Sequence, residues 1–526
     1  MKLGVLIFYL LILIAMGVWS GMRSRGTARD YSLASQTIGP VLLLLSLFGT
    51  TMTSFALVGS TGESYVTGVG IFGKLATAAG IVHSACFFIV GVRLWKYGKR
   101  FGFTTQIQYF RDRLQSDAVG LLLFPVLVGL VIPYMLIGLL GGGITIETVT
   151  AGSFESLGWF EGYNHGVPAW LAGLVISLVV LTYVFLGGMR GTAWANALQT
   201  AFFVVLASIT FVVIVNKYGQ GGAFFESLQR LTENAFNANP EKLSKAPIPY
   251  SQYAAYLLIP LSVAMFPHVF QHWLTARSDK TFKLAIVCHP LMVLCVWMPC
   301  VLMGVWATAI PVTSGLPPDR ANTVLGTLVN GIEAPFLAGL LSAGILAAIM
   351  SSLDSQFLAL GTMFTNDIVT HYVGEKRFSE HARVWIARVF VVLVVAVTYG
   401  VFLVALQYRA SVFPLGTWCF TGFTGLFPVV FASLYWKRFT KYGAAASILA
   451  TAVTWLWLFW KSDFGGDKAY AFPESPLAIG GTTILPPLHP IVTVTVVSAL
   501  AAILVSLFTK PPSQAVVDKY FPSESD

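Results

Sequence analysis

The chain is 526 residues long, 56% hydrophobic and only 10% charged, with a formal net charge of +9. Soluble globular chains carry roughly 25% charged residues, so this composition excludes an ordinary soluble protein. Apolar runs of about twenty residues are long enough to cross a hydrocarbon core of about 30 Å. The chain is therefore predicted to be an all-α integral membrane protein, with one transmembrane domain over residues 1–526.

Apolar segments predict about thirteen membrane spans. They lie near residues 3–20, 40–66, 72–95, 118–149, 168–188, 191–215, 251–274, 281–309, 335–366, 383–407, 411–435, 442–461 and 488–508. The first is interpreted as a membrane helix and not as a signal peptide, because its basic residues, Arg23 and Arg25, follow the apolar run.

Lysine and arginine are concentrated in every second predicted loop, for example in residues 96–113, 277–283 and 437–441. Since basic loops stay on the cytoplasmic side, the N-terminus is predicted to be outside and the C-terminus inside a plasma (inner) membrane. The positive net charge is thus explained by membrane topology, and no nucleic-acid partner is expected.

Two predicted spans contain features that interrupt a helix. The second is dense in Gly, Ser and Thr between Ser46 and Ser60, and the seventh contains Pro260 and Pro267. Each proline removes a helix hydrogen bond. Interrupted helices are typical of the midplane site of a transporter, whereas the alternative for the small residues is close helix packing.

If each interrupted helix opens a five-helix half, the chain divides into two repeats with additions at both ends. The first repeat would cover 37–216 and the second 250–436. An extra N-terminal helix would occupy 1–36, and two additional C-terminal helices would occupy 437–526.

The stretch GILAAIMSSLDSQFLALGTMFTNDI at 344–368, most of it within the ninth predicted span, carries Ser351, Ser352, Asp354 and Ser355 in an apolar helix. A charged aspartate at the bilayer centre costs about 2.5–3.5 kcal/mol on insertion scales. A bound cation would offset that cost, and hydroxyl, carbonyl and carboxylate oxygens suit an alkali or alkaline-earth ion. The alternative is small-residue packing around a protonated or partner-bonded aspartate.

Three segments carry a resemblance to a known family. AGILAAIMSSLDSQFLALGTMFTNDI resembles the signature helix of the sodium:solute symporters, the relatives of proline, pantothenate, sialic acid and sugar/sodium cotransporters. GGMRGTAWANALQT at 187–200 is similar to their GG-x5-W-T-D-x2-Q pattern, and SLFGTTMTSFALVGSTGESY at 46–65 to their broken first core helix.

The resemblance implies a leucine-transporter-like fold with five-plus-five inverted repeats and broken first core helices. It implies a secondary active transporter that couples inward sodium movement to uptake of a small organic solute by alternating access. The family's conserved sodium site, carried over by position, would use the carbonyls of Gly49, Met52 and Ala348. The hydroxyls of Ser351 and Ser352 would complete it.

One motif departs from the family pattern. Many members carry aspartate in W-T-D, at a second sodium site, whereas this chain has Asn196 there. Asp354 lies at a signature-helix position that aligns with that site. A second cation site of Asn196, Asp354 and Ser355, with Ser351, is one hypothesis; loss of the second site is the other.

The solute is weakly encoded. Phe55 and Ala56 match positions where the sugar-transporting branch offers polar side chains, which argues against a polyol-rich solute. Lys74 is interpreted either as an interfacial anchor or as a partner for a substrate carboxylate, and His268 either as packing or as a functional group. The sequence favours a small organic acid or amino acid.

No P-loop, HExxH or GxSxG pattern occurs, so neither ATP-driven transport nor enzyme activity is indicated. The expected partners are sodium, a small organic solute and the lipid bilayer, with no obligatory protein partner evident. Two alternatives are a proton-coupled symporter using Asp354 or His268, and a transporter-like solute sensor. The short segment after the last predicted span favours transport over sensing.

Overall fold

The structure is a computed structural model that describes residues 1–22, 33, 37–156, 158–244, 249–467, 470–479 and 482–522. These residues are almost entirely helical. A short antiparallel hairpin, β1 (Leu477–Ile479) with β2 (Thr482–Leu485), lies between the last two long helices and is an addition to the predicted all-α architecture.

The helices follow the predicted spans closely, with short helices between them. In chain order they are α1 (Lys2–Met22), α2 (Pro40–Thr51), α3 (Phe55–Thr67), α4 (Phe72–Phe101), α5 (Gln106–Leu114), α6 (Asp117–Thr150), α7 (Ala169–Tyr218), α8 (Phe224–Ala238), α9 (Tyr250–Met265), α10 (Pro267–Leu274), α11 (Asp279–Ala307), α12 (Val324–Asn330), α13 (Pro335–Val373), α14 (Glu380–Gln407), α15 (Val412–Tyr435), α16 (Lys441–Lys461), α17 (Pro490–Phe508) and α18 (Gln514–Tyr520).

Ten helices of the described residues are long and apolar enough to cross a membrane, or up to twelve if each of two bent pairs is one span. The predicted count of thirteen is not confirmed. The difference lies in α7, which has 50 residues and would be about 75 Å long if straight. Gly188 interrupts it with φ 52° and ψ −153°, at the end of the first of the two spans predicted there.

Both predicted breaks are present. Helices α2 and α3 meet at 58°, and α9 and α10 meet at 54°. Met52 leaves α2 in extended backbone with φ −89° and ψ 108°. Pro267 begins α10, a position where its missing N–H would have no helical partner anyway.

Proline alone does not decide a break. Helix α6 continues through Pro125 and Pro133, and α11 continues through Pro290 and Pro299. The break at Pro267 therefore depends on the residues around it as well as on the proline ring.

Helix α13 lies at the centre of the protein. In its most apolar stretch 83% of the residues are buried, and its largest contact is with α7. It also packs against α1, α6, α10 and α14. Its polar residues therefore face other helices and not lipid.

Helix α18 docks on α4 and α5 outside the membrane spans. Tyr520 is 2% exposed, and its hydroxyl donates to Asp112 at 2.5 Å. The Tyr97 hydroxyl donates to the Tyr520 carbonyl at 2.7 Å. Burial, followed by the nearby Asp112 carboxylate, raises the pKa of the Tyr520 phenol, so the phenol remains the donor.

Candidate functional site

Ser351 connects the signature helix α13 to the broken helix α2. Its hydroxyl lies 2.8 Å from the Gly49 carbonyl and 2.9 Å from the Ala348 carbonyl, and all three residues are buried. Gly49 lies 302 sequence positions from Ser351, whereas Ala348 lies on the same helix as Ser351. The structure thus brings together three oxygen atoms that the sequence assigned to one site.

Met52 and Ser352, the other two predicted ligands, are buried at the same two helices. The extended backbone of Met52 turns its carbonyl away from the direction of α2. The Ser352 hydroxyl donates to Ile349 at 3.0 Å within α13. Their membership of the site remains a positional prediction.

A second polar cluster surrounds Asp354, whose side chain is fully buried. One carboxylate oxygen accepts from the Tyr183 hydroxyl at 3.0 Å, and the other accepts from Ser355 at 3.0 Å. The Asn196 amide donates to Ser355 at 2.9 Å. Asn196, Asp354 and Ser355, which were predicted together, are therefore in direct contact.

Two amide oxygens of this cluster lack a hydrogen-bond donor. Asn196 Oδ1 and Gln199 Oε1 are buried on α7 without a partner among the described residues. Among all the residues that the structure describes, no Lys, Arg or His forms an ion pair with Asp354. Unsatisfied buried oxygens beside a carboxylate fit a hard cation.

The chemistry of this region differs from that of a transition-metal site. Within the described ranges, no group of three or more His, Cys, Asp or Glu side chains is placed to hold a metal ion. The available ligands are carbonyl, hydroxyl, amide and single carboxylate oxygens. This set suits an alkali ion, which is also the ion expected from the sequence.

Sequence reasoning missed three members of the Asp354 cluster. Tyr183 lies in an apolar run, and neither Tyr183 nor His272 belongs to one of the quoted motifs. Gln199 is the terminal residue of the quoted GG-x5-W-T-D-x2-Q pattern, so it had a sequence signal. Its unpaired buried oxygen is visible only in the structure.

Aromatic rings surround Phe55 at the start of α3. Its ring stacks on Phe413 with centroids 4.8 Å apart and meets Phe420 edge-on at 5.0 Å. Trp297 of α11 lies 5.8 Å away, with a buried indole N–H that has no acceptor among the described residues. Ala56 is buried beside Phe55, and its carbonyl accepts from Ser60 at 2.5 Å.

His268 lies in the same aromatic cluster. Its ring stacks on Phe266 at 5.2 Å and approaches Tyr134 at 5.5 Å, and Tyr134 contacts Phe420 at 5.3 Å. Both ring nitrogens of His268 are buried and lack a partner among the described residues. The structure therefore connects Phe55 and His268 through Phe420 and Tyr134.

Lys74 lies apart from these rings. Its ammonium is 4.7 Å from the centroid of the Tyr256 ring, and the residue is 8% exposed. Protein atoms, and not lipid, therefore cover most of this side chain.

Comparison with known proteins agrees with the geometry. The sequence model of the sodium:solute symporter family matches residues 31–450. The chain belongs to the sodium:solute symporter family. This symporter is 25% identical over 505 residues to the high-affinity proline transporter PutP of Bacillus subtilis, covering 93% of this chain and 95% of that protein. It is 26% identical over 508 residues to a sodium/proline symporter of Haemophilus influenzae, covering 94% and 92%.

Solved structures show the same fold. A substrate-bound, outward-open Na+-coupled sialic acid symporter superposes with a TM-score of 0.74 at 18% identity, covering 98% of this chain and 99% of that one. Mhp1, a nucleobase-cation-symport-1 family transporter, superposes with a TM-score of 0.54 at 13% identity, covering 94% and 96%. The leucine-transporter-like fold expected from the sequence is confirmed.

Family membership decides the general activity. This symporter is a multi-pass integral membrane protein that couples solute uptake to sodium, and it is not an enzyme. The orientation of its termini and the bounds of its repeats stay predictions.

Proposed function

We propose that this symporter uses the inward sodium gradient to take up a compact solute that bears a carboxylate. The observation that carries the proposal is the contact of Ser351 with Gly49 between the signature helix and a broken helix. A ligand shifts a conformational equilibrium only by binding one state better. An ion shared by α2 and α13 would do so, because these helices belong to different predicted repeats.

The conserved sodium site would consist of Gly49, Met52, Ala348, Ser351 and Ser352. A broken helix frees carbonyl oxygens, and the facing helix supplies hydroxyls. All five ligands would be neutral oxygen atoms, so no ligand would balance the charge of the ion. The ion could therefore leave toward the inside without protonation of a charged ligand. The site would open when α2 and α13 separate.

A second cation would be held at Asn196, Asp354 and Ser355. The unpaired oxygen of Asn196, whose amide bonds Ser355 beside the buried Asp354 carboxylate, supports this hypothesis. Gln199, three residues further along α7, carries a second buried unpaired oxygen. The rival is a lone carboxylate with one sodium coupled per cycle. In proteoliposomes, transport of two positive charges with each molecule of a zwitterionic solute would favour the second site. Asp354→Asn would then reduce the number of transported charges to one. A wild-type value of one would exclude it.

The solute would bind beside Phe55 and Ala56. Neither side chain can pair with the hydroxyls of a polyol, and an unpaired buried hydroxyl costs about 1–3 kcal/mol. Flat aromatic walls suit a compact alicyclic or aliphatic body. Among the substrates named for similar proteins, proline fits these walls better than sialic acid does.

Two groups would attract the carboxylate. The unpaired ring nitrogens of His268 can donate one hydrogen bond within the aromatic cluster. Lys74 is a buried cation on α4 and would draw anions toward the site. Equal inhibition of uptake by neutral and anionic analogues, together with unchanged uptake by Lys74→Ala, would remove this part of the proposal.

The basic loops support an N-terminus outside and a C-terminus inside the plasma membrane, so uptake would run toward the side with the basic loops. Labelling of single cysteines introduced at residues 155 and 376 with a membrane-impermeant reagent tests this orientation. Reaction of intact cells at 376 and not at 155 would reverse it.

The decisive test is uptake of radiolabelled L-proline by proteoliposomes under an imposed sodium gradient, with the proton gradient and voltage clamped. Sodium-driven accumulation is expected. Pyruvate and pantothenate serve as further carboxylate probes, and prolinamide serves as the control that lacks a carboxylate. Accumulation of prolinamide but of none of the three acids would contradict the carboxylate assignment.

Two alternatives make different predictions in the same assay. Proton coupling is favoured by one observation, the burial of Asp354 without an ion pair in the described chain, and it predicts uptake that follows pH alone. A solute sensor predicts binding without accumulation. Either result would overturn the proposal.

A further inference from the structure

His272 lies between three helices at the Asp354 cluster. It belongs to α10, and its ring is 1% exposed. Nδ1 lies 2.8 Å from the Ser46 hydroxyl on α2, and Nε2 lies 3.0 Å from the Ser355 hydroxyl on α13. One imidazole thus connects both broken helices to the signature helix.

The neighbours of Ser355 determine which atom donates in each of these bonds. A hydroxyl has one hydrogen and two acceptor positions. The Asn196 amide nitrogen can only donate to Ser355, and a carboxylate can only accept from it. The single hydroxyl hydrogen therefore points to Asp354, and the remaining lone pair accepts from His272. Ser355 thus contributes to the second site by holding the Asp354 carboxylate, and not as a direct ligand of the ion.

The histidine tautomer follows from this assignment. Nε2 must carry the hydrogen that Ser355 accepts, so in the neutral ring Nδ1 is the acceptor. The Ser46 hydroxyl then donates to Nδ1. Every hydrogen bond from Ser46 through His272 and Ser355 is directed toward the Asp354 carboxylate.

We propose that His272 is a positioning residue for the cation bound at Asp354. Its Nε2–H holds Ser355 in the rotamer that donates to the carboxylate, beside the Asn196 amide and its unpaired oxygen. Its Nδ1 connects that rotamer to Ser46 on the first broken helix. This inference rests on the second cation site of the proposed function.

The bridge also links ion binding to conformation. Movement of α2 and α10 away from α13 would break the bond between His272 and Ser355. Ser355 would then be free to rotate, and the carboxylate would lose its fixed orientation. The site would therefore bind a cation more tightly while the three helices are together, which is the differential affinity that coupling requires.

Two substitutions separate the two ring nitrogens. In His272→Gln, the side-chain amide reaches the Nε2 position and can donate to Ser355. In His272→Asn, the shorter side chain reaches only the Nδ1 position, where it can accept from Ser46. Both variants retain a neutral polar side chain in a buried place, so the comparison isolates the donor to Ser355.

The measurement is the unfolding temperature of the purified full chain in detergent as a function of sodium chloride concentration. Potassium chloride replaces sodium chloride, so that the total salt concentration stays constant. Loss of a group that orients a metal ligand typically costs about tenfold or more in affinity. His272→Asn is expected to raise the half-saturating sodium concentration about tenfold, and His272→Gln to leave it near the wild-type value. Ser46→Ala is expected to raise it by less than His272→Asn does.

His289→Gln is the matched control, because His289 is equally buried and hydrogen-bonds His83 at 3.1 Å on other helices. It is expected to leave the sodium titration unchanged. Unfolding temperatures in potassium alone report whether each variant is folded.

Equal sodium titrations of wild type, His272→Asn and His272→Gln would overturn the inference while the proposed function stands. An equal loss in both variants would also overturn it, since packing alone would then explain the residue. A wild-type protein that sodium does not stabilise would instead refute the proposed sodium sites themselves.

Discussion

At the scale of single residues, the proposed cation sites depend on oxygen atoms held by neighbouring side chains. Ser351 holds the Gly49 carbonyl of another helix, and Ser355 holds the Asp354 carboxylate. Gly49 allows this because it has no side chain. A Cβ there would overlap Thr200 Oγ1 and would lie 3.3 Å from the Asn196 carbonyl.

Gly49→Ala is expected to weaken sodium binding and to destabilise the protein. The added methyl group forces α2 away from α7, and overpacking of this kind typically costs about 1–3 kcal/mol. Thermal unfolding in detergent, with and without sodium, measures both effects. The double variant Gly49→Ala, Thr200→Ala should bind sodium better than Gly49→Ala, because the clashing hydroxyl is gone.

Gly129→Ala is the control for Gly49→Ala, since a Cβ at Gly129 meets no atom within 4 Å. Alanine is favoured over glycine inside a helix by roughly 0.5–1 kcal/mol, so this variant should be slightly more stable. Wild-type sodium binding by Gly49→Ala would show that close approach of α2 and α7 is not required.

At the scale of whole elements, the breaks in α2–α3 and α9–α10 are the features that create the site. Within a helix, backbone N–H and C=O groups form hydrogen bonds with one another. A break leaves some of these groups without a helical partner, and inside a membrane their partners must come from other parts of the protein. Met52 and Pro267 mark the two breaks. Each break lies close to both an aromatic residue and a polar residue of the candidate site.

Helix α7 contains a third interruption, a kink at Gly188. Gly188 has φ 52° and ψ −153°, a conformation that side chains with a Cβ avoid. Glycine at this position is therefore required by the backbone and not by packing.

Gly188→Ala is expected to lower the unfolding temperature, because strain of this type costs about 1–3 kcal/mol. The neighbouring Gly187→Ala is the matched control. Its Cβ would lie 3.4 Å from Ser20, an ordinary contact, and its backbone is not in the positive-φ region. Equal unfolding temperatures for the two variants would show that the turn adapts without cost.

At the scale of the whole molecule, the two broken helices contribute to both candidate sites. The first supplies Ser46 and Gly49 to the polar contacts and Phe55 to the aromatic cluster. The second supplies His272 to the polar contacts and His268 to the aromatic cluster. Rearrangement of either helix would therefore affect the proposed ion and solute sites together, which is a physical basis for coupling.

The docking of α18 joins distant parts of the chain outside the membrane spans. Lys519 and Tyr520 both contact the Asp112 carboxylate at 2.5 Å, and Ser513 approaches Gln115. The Tyr520 ring packs against Tyr97 and Tyr109 of α4 and α5.

Tyr520→Ala is expected to release α18, because loss of a buried aromatic ring costs about 3 kcal/mol. Limited trypsin digestion followed by intact-mass measurement should show faster cleavage after Lys519 than in wild type. Tyr520→Phe, which loses only the bond to Asp112, should be cleaved at an intermediate rate. Tyr442→Ala, at a residue 55% exposed, should behave as wild type. Unchanged cleavage of Tyr520→Ala would show that this ring does not hold α18.

Local sequence features predicted most elements. The predicted span 118–149 corresponds to Asp117–Thr150, and 411–435 to Val412–Tyr435. A continuous apolar run reports its own burial in lipid, so neighbours are not needed to recognise it. Small residues and Pro267 indicated the two breaks, because they too act on the local backbone. Helix α8 and the β1–β2 hairpin depend on contacts outside the membrane and were not predicted.

The contacts within the site needed the fold. His268 was predicted as a possible functional group, but it is His272, one helical turn later, that bonds Ser46 and Ser355. Ser46 is 226 positions from His272, and no spacing rule connects them. Ser351 and Asp354 were found as polar residues in an apolar helix and Asn196 through a family motif, whereas the unpaired buried oxygen of Gln199 is visible only in the structure.

The sequence by itself determined the membrane class, the places of the spans and breaks, and the family, because composition, apolar length and short motifs are local properties of the chain. Only the tertiary structure decided which oxygen faces which donor, and that His268 and Phe55 share an aromatic cluster. Hydrogen bonds and ring contacts form between atoms a few ångströms apart in space, and these helices meet only after folding.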